Sequence, residues 1–183
     1  MAADRPLLPG EFVLLGLLRR RSMHGYEMAR ELEAEGLTEV CPVEQSLLYA
    51  YLRNLEERDL VHWEEQRVGG RPPRKHYRLT GSGRETVDCW LREPVERLRE
   101  VRLALLLKLY LLGSLDPTAQ RELLDRQITV CEDYRRAAEA RAGSVENPFS
   151  RLVARSRLAA AESTIRWLRE YAGELAKGSS ERG

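Results

Sequence analysis

A cluster of cationic side chains is the first chemically distinctive feature of this sequence. Residues 66–84 read QRVGGRPPRKHYRLTGSGR and contain no acidic residue, although the 183-residue chain carries 30 Lys and Arg against 29 Asp and Glu. The cations are Arg67, Arg71, Arg74, Lys75, Arg78 and Arg84. Lysine and arginine bind phosphate groups, and the glycines and prolines of this stretch favour an extended loop. The stretch therefore predicts a loop that grips a nucleic-acid backbone.

A second set of polar side chains lies just before this loop. Ser46, Tyr49 and Arg53 are three and four residues apart, a spacing that places them on one face of a helix. Arginine can bond guanine, serine can meet bases or phosphates, and a tyrosine ring can contact a thymine methyl group. A solvated polar face is the alternative interpretation, and for this helix alone it is the more common case. Directly before a basic hairpin, the same helix favours base reading.

Other kinds of chemistry have little support in the sequence. The three histidines, His24, His62 and His76, fall on different elements, and no carboxylate or cysteine completes a metal-ligand spacing. No nucleophile elbow, paired carboxylates or glycine-rich phosphate loop is present. We therefore expect no enzyme activity, no metal and no cofactor.

The cysteines and the N-terminus bear on the compartment. Cys41, Cys89 and Cys131 form no CxxC pair and no disulfide framework. We expect Cys89 and Cys131 to be packing residues and Cys41, in a connector, to be more exposed. The N-terminus lacks a signal-peptide pattern, and the apolar run at 103–112 is too short to span a bilayer. These features predict a cytoplasmic protein without membrane contact.

Periodicity and capping residues predict the elements that position these side chains. Residues 9–20 form a first helix, and Gly25 and Tyr26 open a second one that ends at Gly36. The expected inner face of this second helix is Tyr26, Ala29 and Leu32. The third helix, 43–58, turns Val43, Leu47, Leu48, Tyr51, Leu52 and Leu55 to one half of its surface.

A β-hairpin and further helices follow. Residues 60–67 and 75–79 are the two expected strands. Thr80 caps a fourth helix, which Pro94 ends. The remaining helices are expected over 95–113, 118–142 and 149–176, with Asp116-Pro117 starting the second of these.

This order predicts a mainly α fold. An N-terminal winged helix-turn-helix with a two-stranded wing would occupy residues 8–80. A connecting helix would follow over 81–94, and an α-helical dimerisation and effector domain over 95–177. Long helices with little compact topology of their own usually bury their apolar faces against a second copy of the chain.

Three segments carry a resemblance to a known family. MHGYEMARELE, QSLLYAYLRNLEERDLV and GGRPPRKHYRLTGSGRE stand in the order and spacing of the PadR family of bacterial transcriptional regulators, which the chain resembles over about residues 10–92. VRLALLLKLYL is similar to a segment of the longer members. The resemblance implies a homodimeric regulator, with DNA contacts at Tyr26, Ser46, Tyr49 and Arg53, and with Arg71, Arg74 and Lys75 in the wing.

Two tryptophans suggest an effector site. Some members of the family bind flat aromatic or cationic compounds near the dimer centre, and Trp90 and Trp167 are suited to stack on such ligands. A core or interface role for both is the alternative, and we favour it.

The sequence therefore predicts a sequence-specific DNA-binding regulator. We expect a ligand-responsive repressor that acts as a homodimer on a pseudo-palindromic operator in double-stranded DNA, with a small aromatic or hydrophobic effector. The alternative is a winged-helix protein-interaction module without direct DNA binding.

Overall fold

The computed structural model describes residues 5–66, 73–144 and 147–180. Two compact units divide the chain. One holds the chain up to Glu93 together with Leu106–Asp116, and the other holds Pro94–Leu105 and the chain from Pro117 onward. The segment 106–116 thus lies with the first unit, whereas the sequence groups it with the helices that follow.

The described elements follow one another in a mostly helical order. They are α1 Pro9–Arg20, β1 Met23–His24, α2 Gly25–Ala34, α3 Leu37–Val40, α4 Gln45–Glu57, β2 Val61–Gln66, β3 Arg74–Leu79, α5 Gly81–Arg92, α6 Leu98–Glu100, a π-helical turn Val101–Leu105, α7 Leu106–Leu115, α8 Pro117–Ser144 and α9 Pro148–Ser180. The predicted winged helix-turn-helix is confirmed in the first unit. The predicted connector after α2 contains one short additional helix, α3.

The wing hairpin belongs to a small antiparallel sheet of strand order β1-β3-β2. β2 pairs with β3 from Val61 opposite Leu79 to Gln66 opposite Arg74. The two residues of β1 add a third strand, because Met23 and His24 pair with Tyr77 and His76. A two-residue strand leaves no periodic signal in a sequence, so the sequence pattern predicted only the hairpin.

The core of the first unit is built on α1 and α4. Leu14, Leu15 and Leu17 of α1 are fully buried, and so are the leucines of the inner edge of α4, Leu48, Leu52 and Leu55. Leu47, which was expected on the same face, is 39% exposed. The buried edge of α4 is therefore narrower than the predicted half-wheel.

The predicted inner face of α2 is wrong for Tyr26. Gly25, Met28 and Leu32 are the buried residues of α2, and Tyr26 is 37% exposed. Met28 and Leu32 are four residues apart and share one face, whereas Tyr26 lies about 200° round the helix from Met28. This places Tyr26 on the outer surface.

Two cysteine predictions are also wrong. Cys41 is buried and Cys89 is exposed, while Cys131 is buried as expected. Cys41 follows α3, whose last turn ends with a hydrogen bond from the Cys41 amide to the Leu37 carbonyl at 2.8 Å. Burial raises the pKa of the Cys41 thiol.

A buried carboxylate joins α1 to α4. Glu11 is fully buried, and it accepts hydrogen bonds from both terminal nitrogens of Arg5, from the Leu8 amide and from Asn54 Nδ2 at 2.6 Å. Burial raises the pKa of Glu11, but the hydrogen bonds from Arg5, Leu8 and Asn54 and the positive charge of Arg5 together lower it by more, so the pKa lies below its usual value. The ionised form is therefore the one that stabilises the first unit.

The second unit consists of the two long helices α8 and α9 and the segment Pro94–Leu105. α8 and α9 pack against each other, and their buried residues include Leu123, Leu124, Cys131, Ala161, Ile165 and Leu168. Gln127 is fully buried, and its amide pairs with both the nitrogen and the oxygen of Val95. The predicted start of α8 at Pro117 is confirmed. None of the helices in the described ranges is long and apolar enough to cross a bilayer.

A close approach at the start of α5 gives a first prediction. Thr80 caps this helix by accepting a hydrogen bond from the Gly83 amide at 3.0 Å, as the sequence predicted. A Cβ atom on Gly83 would lie 1.9 Å from the Leu60 carbonyl oxygen. Gly83→Ala should therefore cost about 1–3 kcal/mol of unfolding free energy, although alanine is the better helix former.

Urea denaturation measures this cost. Gly81→Ala is the matched control, because a Cβ at Gly81 meets nothing within 4 Å. We expect the control to leave the urea midpoint nearly unchanged. Equal midpoints for the two variants would contradict the close approach of α5 to Leu60.

The buried Glu11 gives a second prediction, on pH dependence. Because its folded pKa is lowered, its stabilisation is fully present above the unfolded value of about 4.3 and is lost as the pH falls through the folded value. Glu11→Gln should lower the unfolding free energy at neutral pH. As the pH is lowered, the unfolding free energy of this variant should fall less than that of the parent.

Urea midpoints measured from about pH 7 down to about pH 3 would show this difference. Glu33→Gln is the control, because Glu33 is an exposed carboxylate on α2. An acid limb of the same steepness in Glu11→Gln and the parent chain would show that Glu11 does not carry the effect.

Candidate nucleic-acid interface

A surface pocket with a volume of about 610 Å³ lies where α2, α4 and β3 meet. It is referred to below as the basic concavity, and it is lined by His24, Gly25, Tyr26, Tyr49, Arg53, Arg74, Lys75 and Tyr77. The structure thus brings together Tyr26, Tyr49, Arg53, Arg74 and Lys75 from the predicted site. Ser46 is exposed on α4, one turn before Tyr49. Arg71 lies outside the described residues.

Tyr49 is held by a close approach to the start of α2. A Cβ atom on Gly25 would lie 2.7 Å from Tyr49 Cε1. The absence of a side chain at Gly25 therefore lets the Tyr49 ring rest against the α2 N-terminus, where the ring is half-buried. The phenol of Tyr49 is positioned by packing before any ligand arrives.

The two arginines of the basic concavity differ in what surrounds them. Arg53 is exposed on α4, and among the described residues its guanidinium makes no hydrogen bond or ion pair. The guanidinium carbon of Arg74 lies 4.9 Å from the centre of the Tyr26 ring. A ring holds a cation in place without neutralising it, so both arginines remain able to bind an anion.

Lys75 is engaged within the molecule. Its Nζ lies 3.9 Å from the centre of the Trp63 ring and 3.8 Å from Oε2 of Glu56. Arg78, on the same strand, pairs with Glu64 and contacts His62. The described cations of the basic stretch are therefore not equivalent, since carboxylates offset the charges of Lys75 and Arg78.

His24 ties the first turn of α2 to the wing. Its Nδ1 lies 2.9 Å from the Lys75 carbonyl oxygen. Its ring stacks on Tyr26 at 5.5 Å and meets the edge of His76 at 4.9 Å. Sequence reasoning missed this role, because it depends on the pairing of β1 with β3. It also missed Tyr77, which lines the basic concavity, and Glu56 and Trp63, which contact Lys75 from α4 and β2.

The predicted effector residues lie in separate units. The Trp90 ring, in the first unit, stacks on Phe12 with ring centres 4.4 Å apart. The buried Lys108 places its Nζ 4.9 Å from the centre of the same ring and donates to the Glu93 carbonyl. Trp167 lies half-buried on α9 in the second unit. The surroundings of Trp90 fit the packing alternative.

No group of three potential metal ligands occurs in the parts of the chain that the structure describes. The three histidines take other roles there: His24 and His76 contact each other in the sheet, and His62 contacts Arg78. The site is thus a surface of cations, phenols and a hydroxyl. Such a surface can bind a polyanion and read hydrogen-bonding edges.

Two family models match separate parts of the chain. Residues 14–88 match the transcriptional regulator PadR-like family, and residues 101–176 match the virulence activator alpha C-terminal family. The negative transcriptional regulator PadR of Bacillus subtilis is 25% identical over 118 residues. That alignment covers 64% of this chain and 64% of the relative.

Solved structures of related proteins are similar at lower identity. The Bacillus subtilis PadR complex with operator DNA is 21% identical, with a TM-score of 0.48, over 93% of this chain and 99% of the other. A complex of the same regulator with p-coumaric acid is 20% identical, with a TM-score of 0.43, over 92% and 99%. The Bacillus cereus PadR-like regulator BC1756 is 21% identical, with a TM-score of 0.43, over 94% and 98%.

The family matches describe regulators of transcription, not enzymes. The PadR-like match contains α2, α4 and both strands of the wing, and it therefore includes the whole basic concavity. By sequence, residues 14–88 are therefore a PadR-like transcriptional-regulator domain, and they lie in the unit that forms the winged helix-turn-helix.

Proposed function

We propose that this chain is a sequence-specific regulator that binds double-stranded DNA through the basic concavity. The single observation that carries the proposal is the placement of α4. Its inner edge is buried, and its outer face presents Ser46, Tyr49 and Arg53 beside the wing arginine Arg74. In helix-turn-helix proteins the second helix of the motif enters the major groove. The corresponding helix here is α4.

The division of labour follows from the chemistry of each group. Arg53 is exposed and has no described partner, so it is suited to bond guanine, with Tyr49 and Ser46 beside it on the same face. Arg74 is held over Tyr26 and is suited to a backbone phosphate. In this proposal α4 reads sequence, and β3 supplies affinity that does not depend on sequence.

The proposed active form is a homodimer. Phe149 and Leu152 of α9 are 71% and 62% exposed, and exposed large apolar side chains commonly mark a protein interface. We call the winged helix-turn-helix of each copy, which lies in the first unit, its head. Two heads related by two-fold symmetry would bind half-sites about 34 Å apart, which makes the operator pseudo-palindromic. Repression would then follow from occupancy of a promoter.

The proposal also includes a small-molecule effector. The Bacillus subtilis relative is a negative regulator by name, and one of its structures contains p-coumaric acid. A compound that acts on this chain must bind one arrangement of the two heads more tightly than the other. Of the two tryptophans suited to stack on such a compound, Trp90 packs against Phe12 and Lys108, and Trp167 is half-buried on α9.

Base reading by α4 gives a third prediction. Arg53→Ala should cost about 1–3 kcal/mol on the preferred site and relax the preference at the base pair that Arg53 contacts. Rounds of selection from a random duplex pool, with the parent and the variant in parallel, would compare the two preferred motifs. The mass of the selected complex would give the number of chains per duplex.

Two outcomes of this selection would contradict the proposal. An unchanged motif for Arg53→Ala would remove Arg53 from base reading. Failure of the parent chain to retain any duplex at low salt would favour the rival function, a winged-helix module that binds another protein.

Phosphate binding by the wing gives a fourth prediction. Arg74→Ala should weaken binding to all duplexes and should make the dependence of log K on log salt shallower by about 0.9 if Arg74 contacts one phosphate. Fluorescence anisotropy in about 50 to 200 mM salt would measure both effects. Arg155→Ala, which removes an exposed cation from α9, is the control. Equal slopes for Arg74→Ala and the control would contradict a wing contact.

A further inference from the structure

An acidic side chain lies beside the cations of the basic concavity. Glu56 is on α4, three residues after Arg53. Its Oε1 accepts a hydrogen bond from Trp63 Nε1 at 2.6 Å, and its Oε2 lies 3.8 Å from Lys75 Nζ. The same Nζ lies 3.9 Å from the centre of the Trp63 ring. Side chains from α4, β2 and β3 thus form one closed group, the Glu56–Trp63–Lys75 group.

The charge of Glu56 is not needed for its hydrogen bond. An indole N–H can also donate to the amide oxygen of a glutamine. What the carboxylate adds is attraction for the Lys75 ammonium and repulsion for any polyanion that approaches the basic concavity. A carboxylate at this position therefore acts against DNA binding while it orders the base of the wing.

The pair is weak enough to open. The Glu56 and Lys75 side chains are 39% and 46% exposed, and exposed ion pairs are worth little because water and salt screen them. When a DNA phosphate approaches the wing, the Lys75 ammonium can leave Glu56 and pair with the phosphate. Trp63 would keep its hydrogen bond to Glu56 during this exchange.

We propose that Glu56 is a positioning residue that holds Lys75 over Trp63 and thereby limits the sequence-independent affinity of the head for DNA. The inference rests on the proposed function and goes beyond it, since it assigns a restraint to an acidic residue outside the lining of the basic concavity. A regulator competes with a large excess of non-specific sites in a genome. Lower background affinity leaves more of the protein available for its operator.

A double-mutant cycle tests the restraint directly. The variants are Glu56→Gln, Lys75→Gln and the double variant, each titrated into a fluorescent mixed-sequence duplex of about 30 base pairs, long enough for two half-sites. Glu56→Gln should bind about two- to fivefold more tightly than the parent, with a steeper salt dependence. Lys75→Gln should bind more weakly. In the Lys75→Gln background, Glu56→Gln should give a smaller gain than in the parent, because only the direct repulsion between the carboxylate and DNA is then removed.

Glu57→Gln is the matched control. Glu57 is the next residue on α4, is exposed, and has no hydrogen bond or ion pair among the described residues. The substitution Glu57→Gln removes the same charge one position away, so it measures the effect of net charge alone. Glu56→Ala is a second variant, which loses the hydrogen bond as well and should still gain affinity. Circular dichroism confirms that each variant is folded.

The possible results separate this inference from the proposed function. Binding by the parent with no gain for Glu56→Gln, an equal gain for Glu57→Gln, or an undiminished gain without Lys75 would each overturn the restraint and leave DNA binding intact. A parent chain that does not bind the duplex at about 50 mM salt would overturn the proposed function, and the restraint with it.

Discussion

The burial of one edge of α4 is the constraint on which the rest of the head depends. Leu48, Leu52 and Leu55 have no solvent exposure, and α4 contacts α1, α2 and β2. Rotation of the helix about its axis would expose these leucines, at about 1.5–3 kcal/mol for each side chain. The outward direction of Ser46, Tyr49 and Arg53 is therefore a consequence of core packing. The Glu11–Asn54 hydrogen bond adds a polar contact between α1 and the same helix.

A nearly neutral chain can present a cationic surface because some of its cations are paired with carboxylates and others are not. Arg74 rests on an aromatic ring, which orients it and leaves its charge intact. Lys75 and Arg78 pair with Glu56 and Glu64, which offset theirs. The number of Lys and Arg residues in 66–84 therefore overstates the positive charge that this surface presents. Among the described residues of the basic concavity, Arg53 and Arg74 carry most of it.

Much of the fold was predictable because its signals are local. The bounds of α1, the cap at Thr80, the end of α5 before Pro94 and the start of α8 at Pro117 each depend on residues within a turn of the boundary. The hairpin followed from alternation and turn residues. The errors have a different origin. Tyr26 was placed inward because tyrosine is partly apolar, whereas Met28 and Leu32 fill the space beneath α2. Cys41 was placed outward because a connector was expected where α3 forms.

By itself, the sequence determined the order of the longer elements, the basic wing and the three polar residues on the outer face of α4. Its spacing also carried the family resemblance that the family match then confirmed. Only the tertiary structure decided which cations are free to act. His24 meets the Lys75 carbonyl across 51 positions, and Glu56 reaches Lys75 on another element. Such contacts depend on how buried faces dock, and that docking sums many weak interactions between distant residues. Local periodicity records which face of each element is apolar, but not which polar groups will meet when those faces come together.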